Sequence, residues 1–248
     1  ARRVAEPLSS RRAELVDWLV RLHQSYELRA ATLYLAVQLA DRYVASLETD
    51  PAAPRAKFRR LRLLAAALLS LAAKFEDEAV PDFASLAASS EGEGGSFSAE
   101  EVHVAELGVL ARLGFRLHAP TAAHHLHWFL ELAGADAEQR CLAEYLCELG
   151  LESAELPTWA PTRHAAAAVV LSRLLRGLPA WPPALEARIQ PAGEGGRQEV
   201  MEAVFGLSRA LCMHAPADAV YSKFASEKFG AIAPRVAAQV AGALADEA

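Results

Sequence analysis

An all-α chain built from two similar halves is what this sequence predicts, and three observations carry the prediction. Apolar residues recur at three- and four-residue steps in nearly every segment and almost never alternate, which is the period of a helix face and not of a strand. Two segments, Leu61–Phe75 and Thr162–Leu175, are Ala-, Val- and Leu-rich on most sides, as a helix buried in the middle of a bundle must be. The tripeptide His118-Ala119-Pro120 returns as His214-Ala215-Pro216 at a similar place in the second half. With an Ala-rich third helix in each half, that recurrence points to two copies of one five-helix unit.

The elements follow in order. Leu15, Val16, Trp18, Leu19 and Leu22 share one face of a helix over Arg12–Gln24, with Ser9 and Ser10 as candidate caps. Leu33, Val37, Leu39, Tyr43, Val44 and Leu47 mark a second helix over Ala30–Leu47, and Pro51–Pro54 breaks the chain after it. The third, Leu61–Phe75, is the central one. A short helix follows Pro81 and ends near Ala88, and the Gly/Ser/Glu stretch Ser89–Ser96 reads as a surface loop. Ser98 with Glu101 three residues on forms a capping box for a helix that runs to Leu113 and stops at Gly114. The second half repeats the plan. Helices are expected over Thr121–Ala133, Glu138–Leu149 and Thr162–Leu175, the last headed by Pro161. After the Pro179, Trp181, Pro182 and Pro183 turn comes a short helix, and beyond the Gly193–Gly196 loop a helix spans Arg197–Met213. The domains expected are residues 1–118, 119–232 and a helical tail 233–248.

Composition bounds the function. At 248 residues, 53% hydrophobic and 23% charged, the chain can bury the cores of two domains and is not a disordered tract. Its longest apolar run, near Leu63–Ala73, is interrupted by Ser70 and ended by Lys74, short of the ~20 residues a membrane span needs. A soluble protein is expected. Cys141, Cys147 and Cys212 show no C-x-x-C spacing, so neither a disulfide framework nor a cysteine zinc site is expected and a reducing compartment is. No secretion signal opens the chain. The net charge of −6 argues against a binder that relies on phosphate attraction. Residues 1–62 nevertheless hold 12 basic and 7 acidic side chains, against 13 and 24 in the remainder. That asymmetry is either a solvated Arg-rich face or a basic patch for an acidic partner segment.

No catalytic machinery is legible. His124, His125 and His127 lie close together, but only Glu131 could add to them on one helix face, so packed or solvated histidines are expected. Glu76-Asp77-Glu78 with Asp82 is similar to the acidic clusters that hold magnesium in all-helical prenyl-diphosphate enzymes, yet no second acidic box matches it. No G-x-S-x-G, phosphate loop or Cys/His pair is present in motif context. Neither cofactor nor metal is expected. What does stand out is one lysine at an apolar helix end, Lys74, and one glutamate inside an apolar helix, Glu106. Charges there either snorkel to water or serve a partner surface.

These residues coincide with a family pattern. Arg12-Ala13-x-Leu15-Val16-Asp17-Trp18-Leu19-Val20 resembles the first-helix signature of mitotic cyclins, and Leu35-Ala36-Val37 with Asp41-Arg42-Tyr43 resembles their second helix. Leu71-Ala72-Ala73-Lys74-Phe75-Glu76-Asp77 is similar to the end of their third. Glu106, Leu110, Leu113, Phe115 and Pro120-Thr121 resemble the fifth helix and the crossover. Trp181-Pro182, Tyr221-Ser222-Lys223-Phe224 and Lys228-Phe229 resemble the later part of A- and B-type members, closer to B. The resemblance spans about residues 10–232. It implies two tandem five-helix cyclin boxes and a non-enzymatic regulatory subunit that binds and activates a cyclin-dependent serine/threonine kinase, in G2/M, in nucleus and cytoplasm.

The resemblance assigns Lys74 and Glu106 to a clamp on backbone groups of the kinase's mobile helix, with Leu71, Phe75, Leu110 and Leu117 as the apolar seat. It also implies a patch that docks peptides of kinase substrates or inhibitors, at Arg11, Glu14, Leu15, Trp18, Arg21 and Arg62. Here the sequence departs from the family. Leu15 and Trp18 keep an apolar floor, while Arg11 and Glu14 replace Met and an aliphatic residue, Arg62 replaces Gln, and Arg21 replaces an acid found in A-type members. Weak affinity for Arg-x-Leu peptides is therefore expected, with acidic or phosphorylated flanks preferred instead. The helix that precedes the first box in that family is absent or cut down, which bears on the kinase contact it makes. Alternatives are a transcription-factor-like double cyclin box, an all-helical scaffold without a kinase partner, and a metal-dependent helical synthase. The first would show a strongly basic surface, the second more repeats at a shorter period, and the third magnesium-dependent turnover.

Overall fold

The computed structural model describes residues 11–50, 61–89, 96–153, 159–189 and 194–246, and among them regular structure is helical throughout. The chain divides into two compact units, Ala1–Ala119 and Pro120–Ala248. The expected all-helical class and the two tandem repeats are both present.

The first unit contains α1 (Arg12–Ser25), α2 (Ala30–Glu48), α3 (Leu61–Glu76), α4 (Phe83–Ala88) and α5 (Ala99–Arg112). Helix α3 lies at the centre against α1, α2 and α5, and every residue from Leu64 to Ala73 is buried. Its alanines let three neighbours approach closely, because side-chain bulk sets the distance between helix axes. Each buried leucine of α3 contributes about 1.5–3 kcal/mol. The Arg12 guanidinium fixes α1 to α2 through two bonds to Asp41, 2.7 and 3.0 Å. The capping box at the start of α5 is formed as its sequence predicts: Ser98 accepts from the Glu101 N–H and the Glu101 carboxylate accepts from the Ser98 N–H. Gly114, with φ at +60°, ends α5. There the Phe115 N–H reaches back to the Leu110 carbonyl and the Gly114 N–H to Ala111, which satisfies carbonyls that the helix leaves open.

The second unit contains α6 (Ala122–Leu132), α7 (Ala137–Glu152), α8 (Pro161–Leu175), α9 (Pro183–Ile189), α10 (Glu194–Met213), α11 (Ala219–Phe224), a 3₁₀ turn at Glu227–Phe229 and α12 (Ile232–Asp246). Helix α8 occupies the place of α3, against α6, α7 and α10. Helix α12 packs on α7, α10 and α11, so the tail expected from residue 233 begins inside a helix of this unit. Helix α7 passes so close to α8 that a β-carbon on Gly150 would lie 2.2 Å from His164 Nε2. Any larger residue there must displace the His164 side chain.

Two sequence expectations need amendment. The loop expected at Gly193–Gly196 is not one throughout, since α10 opens at Glu194 and takes Gly195 and Gly196 into its first turn. Glycine is a poor helix former at ~1 kcal/mol and not a breaker, and burial of Val200, Ala203, Val204 and Leu207 further along offsets it. Ser9 and Ser10, the candidate caps, lie outside the described residues, as do Pro51–Pro54, residues 90–95 and Gly193. Helix α1 has Arg11 at its N-cap, without a side-chain cap bond.

Candidate functional site

The two isolated charges of the first unit meet. Lys74 closes α3 and its Nζ donates to Glu106 Oε1 on α5 at 2.6 Å, while the Ser70 hydroxyl, one turn back on α3, donates to Glu106 Oε2 at 2.5 Å. Spacing explains the convergence, since residues four apart on α3 stand one above the other and can both reach one carboxylate. The pair is lopsided: the Glu106 side chain is 6% exposed and that of Lys74 45%. Phe83 from α4 lies under the ammonium, 4.7 Å from ring centre to Nζ, and its ring is 5.2 Å from that of His103. Neither charge is stranded, then. The carboxylate is an internal post, and the ammonium is a donor held at the surface with protons left over for a further acceptor.

The apolar residues around this pair are unevenly placed. Leu71 is buried in the core, Leu110 and Leu117 are half-buried, and Phe75 is 48% exposed with its ring 5.7 Å from that of His118. Val104 and Leu107 of α5 are exposed as well, on a side of the helix turned away from buried Val102, Glu106 and Val109 where polar residues are usual. Periodicity alone does not mark them as surface residues, although two aliphatic residues outside the buried stripe are the available signal.

The expected docking patch is placed differently from its sequence reading. Leu15 is 1% exposed and belongs to the core, so it offers no surface to a peptide. Arg11 is held in a fork by Glu14, with bonds of 2.7–3.0 Å. Arg21 is held by Asp17 at 2.8 and 3.3 Å. The Arg62 guanidinium stacks over the Trp18 ring at 4.4 Å. All three arginines expected to attract an acidic segment are engaged by neighbours of their own.

Other clusters are occupied structurally. His124 Nδ1 is bound to Thr121 at the start of α6. Burial pushes the His125 imidazole below its usual pKa, and the neighbouring His124 adds to the shift. Asp77 accepts from the Thr32 hydroxyl and the Arg29 N–H, Glu78 from the Arg29 guanidinium, and Asp82 caps α4. These acids hold loops together. In the second unit, Lys223 of α11 donates to both oxygens of Glu148 on α7, 2.6 and 2.7 Å, in a buried pair.

Comparison with known proteins accords with this architecture. The family model described as "Cyclin, N-terminal domain" matches residues 4–118 and "Cyclin, C-terminal domain" matches 120–237. The chain is 36% identical over 170 residues to a G2/mitotic-specific cyclin-B2 of Gallus gallus, covering 68% of this chain and 40% of that one. It is 31% identical over 178 residues to a G2/mitotic-specific cyclin-B3 of Gallus gallus, covering 71% and 41%. The chain thus spans about two fifths of the length of these relatives. Among solved structures it shares the fold of a viral cyclin from herpesvirus saimiri, with TM-score 0.66, 16% identity, and 82% and 86% of the two chains covered. It also shares the fold of a chain in the CAK complex from Chaetomium thermophilum bound to ATP-gamma-S, with TM-score 0.57, 15% identity, and 93% and 72% covered.

Proposed function

The chain belongs to the cyclin family, and from that premise we propose that it binds and activates a cyclin-dependent serine/threonine kinase, with Lys74 at the centre of the contact. Cyclins are regulatory subunits and not enzymes, so this chain supplies contacts and the kinase the chemistry. The observation that carries the reading is the half-exposed ammonium of Lys74, anchored by buried Glu106 and Ser70 and followed in the chain by exposed Phe75. An anchored donor loses little freedom on binding, and each charge-assisted bond it makes to a partner carbonyl contributes about 1.5–3 kcal/mol. Glu106 works by holding Lys74. Leu71 supports the end of α3 from within, and Phe75, Leu110 and Leu117 give the apolar contact.

Activation is a population shift. A kinase needs its Lys–Glu ion pair and activation loop in place, and a partner that binds only the arranged state favours it by its differential affinity. The similarity to B-type relatives supports action in the G2/M part of the cell cycle, in nucleus and cytoplasm. The test is capture of this chain on a panel of cyclin-dependent kinases with histone phosphorylation as readout. Wild-type activation lost on Lys74→Ala/Glu106→Ala is the expected result; equal activation by both proteins would overturn the assignment.

The patch on α1 is proposed as a weak docking surface for substrate or inhibitor peptides. With Arg11 and Arg21 paired and Arg62 lying on Trp18, a basic Arg-x-Leu peptide meets an arginine already seated on the ring it would use. Fluorescence anisotropy with basic and acid-flanked versions of one peptide tests this, and tighter binding of the basic version would refute it.

A further inference from the structure

Three element ends of the second unit converge on one imidazole. Glu152 closes α7, His214 directly follows α10, and Asp218 is the N-cap residue of α11. The His214 side chain is 3% exposed and lies against the rings of Tyr145 and Tyr221. Its Nδ1 is 2.9 Å from the Tyr145 hydroxyl. Its Nε2 has no hydrogen-bond partner, yet it points between two carboxylates, 3.5 Å from Glu152 Oε2 and 3.5 Å from Asp218 Oδ2. That spacing is long for a hydrogen bond. It is the spacing a metal ion imposes, because two bonds of about 2.1 Å at a tetrahedral angle set their donor atoms about 3.4 Å apart.

We propose that Glu152 Oε2, His214 Nε2 and Asp218 Oδ2 bind one divalent transition-metal ion of the zinc class. The three donor atoms lie within 4.8 Å of one another. One neutral imidazole and two carboxylates supply two negative charges, which balance a divalent ion. In the tautomer whose Nδ1–H donates to the Tyr145 hydroxyl, 2.9 Å away, the Nε2 lone pair faces the carboxylates, which is how an outer partner fixes a metal-binding histidine. The Ala215 N–H, 2.7 Å from Asp218 Oδ2, orients that carboxylate. The Asp218 side chain is 39% exposed, which gives the ion a way in. An imidazole among the donors selects zinc, iron or nickel over magnesium or calcium. The bound ion joins the ends of α7 and α10 to the start of α11 and so braces the second unit, independently of any kinase contact in the first.

The experiment is zinc titration of the full chain in competition with a chromophoric chelator, with cobalt absorption as a second readout and far-ultraviolet circular dichroism as the fold control. Wild type should take up one equivalent. Asp218→Asn and His214→Gln should each weaken uptake by roughly tenfold or more, while Cys212→Ser should leave it intact and cobalt should show no thiolate band. If His214→Gln does not fold, the isosteric Asp218→Asn carries the comparison. Absence of stoichiometric zinc in the wild type, undiminished affinity in Asp218→Asn, or loss of binding in Cys212→Ser would each overturn the proposal.

Discussion

Among the described residues, each unit of the molecule holds a lysine–glutamate pair, and the two pairs differ in what surrounds them. Lys74 and Glu106 bridge α3 and α5 with the carboxylate buried and the ammonium half in water. Lys223 and Glu148 bridge α11 and α7 with both side chains buried, at 8% and 5% exposure, and with Phe224 and Phe229 over the ammonium. A buried pair gains its full attraction only by giving up hydration at both ends, so it is costly to break from either side. A half-open pair gives up less and leaves donor capacity free. Chemistry is therefore the same in both units, while exposure separates a contact from a brace.

That difference sets the largest expected effect. Lys223→Ala leaves a buried carboxylate without its partner and should destabilise the second unit by about 3–5 kcal/mol, read as a lowered midpoint in urea unfolding. Replacing both partners, as Lys223→Met with Glu148→Leu, should restore most of the loss. A single variant within about 1 kcal/mol of wild type would erase the distinction between the pairs.

Lys74→Ala should behave in the opposite way. Its fold should lose less than that of Lys223→Ala, because the half-exposed ammonium keeps much of its hydration, its removal opens Glu106 to water, and Ser70 still donates to the carboxylate. Kinase affinity should instead fall roughly ten- to hundredfold, the loss of one charge-assisted bond. Isothermal titration against the kinase alongside thermal unfolding separates the two quantities. A large stability loss with affinity unchanged would make Lys74 a brace like Lys223.

Two residues after Glu148, Gly150 tests how firmly α7 is packed against α8 and α10. A β-carbon there would also come within 2.9 Å of Leu207 Cδ2, so Gly150→Ala should cost about 1–3 kcal/mol through overpacking. If calorimetry shows no loss, the second unit is softer than its buried pair implies.

Most of the fold is legible in the sequence because it is written in local period. Leu15, Val16, Leu19 and Leu22 reveal α1 without help from any other segment, and the Ser98/Glu101 box fixes the start of α5. The site is only half legible for the same reason. Lys74 and Glu106 each stand out against apolar neighbours, but nothing local says that they meet, and Ser70 passes for a neutral interruption of an Ala/Leu run. His214 and Asp218 lie four residues apart in the link between α10 and α11, but Glu152 comes from the end of α7, and only folding makes it their neighbour. Arg11 and Arg21 mislead in the other direction. Their partners Glu14 and Asp17 lie three and four residues away on the same helix, a pairing that local spacing does permit, and the sequence reading counted the charges without pairing them.

The smallest effect concerns Arg62, where the contrast between contact and brace is weakest. Its guanidinium lies 4.4 Å from the Trp18 ring centre at a partly exposed position, an interaction of about 0.5–1 kcal/mol. Arg62→Ala should therefore lower stability by no more than that. It should also uncover the ring and remove a like charge from the path of a basic docking peptide, so affinity for such a peptide should rise a few-fold while affinity for the kinase stays unchanged. The two readings move in opposite directions only if Arg62 acts as a cover on the patch. If stability falls by several times the stacking energy and peptide affinity falls with it, Arg62 is part of the structure that holds Trp18 in place, and α1 presents no separate docking surface.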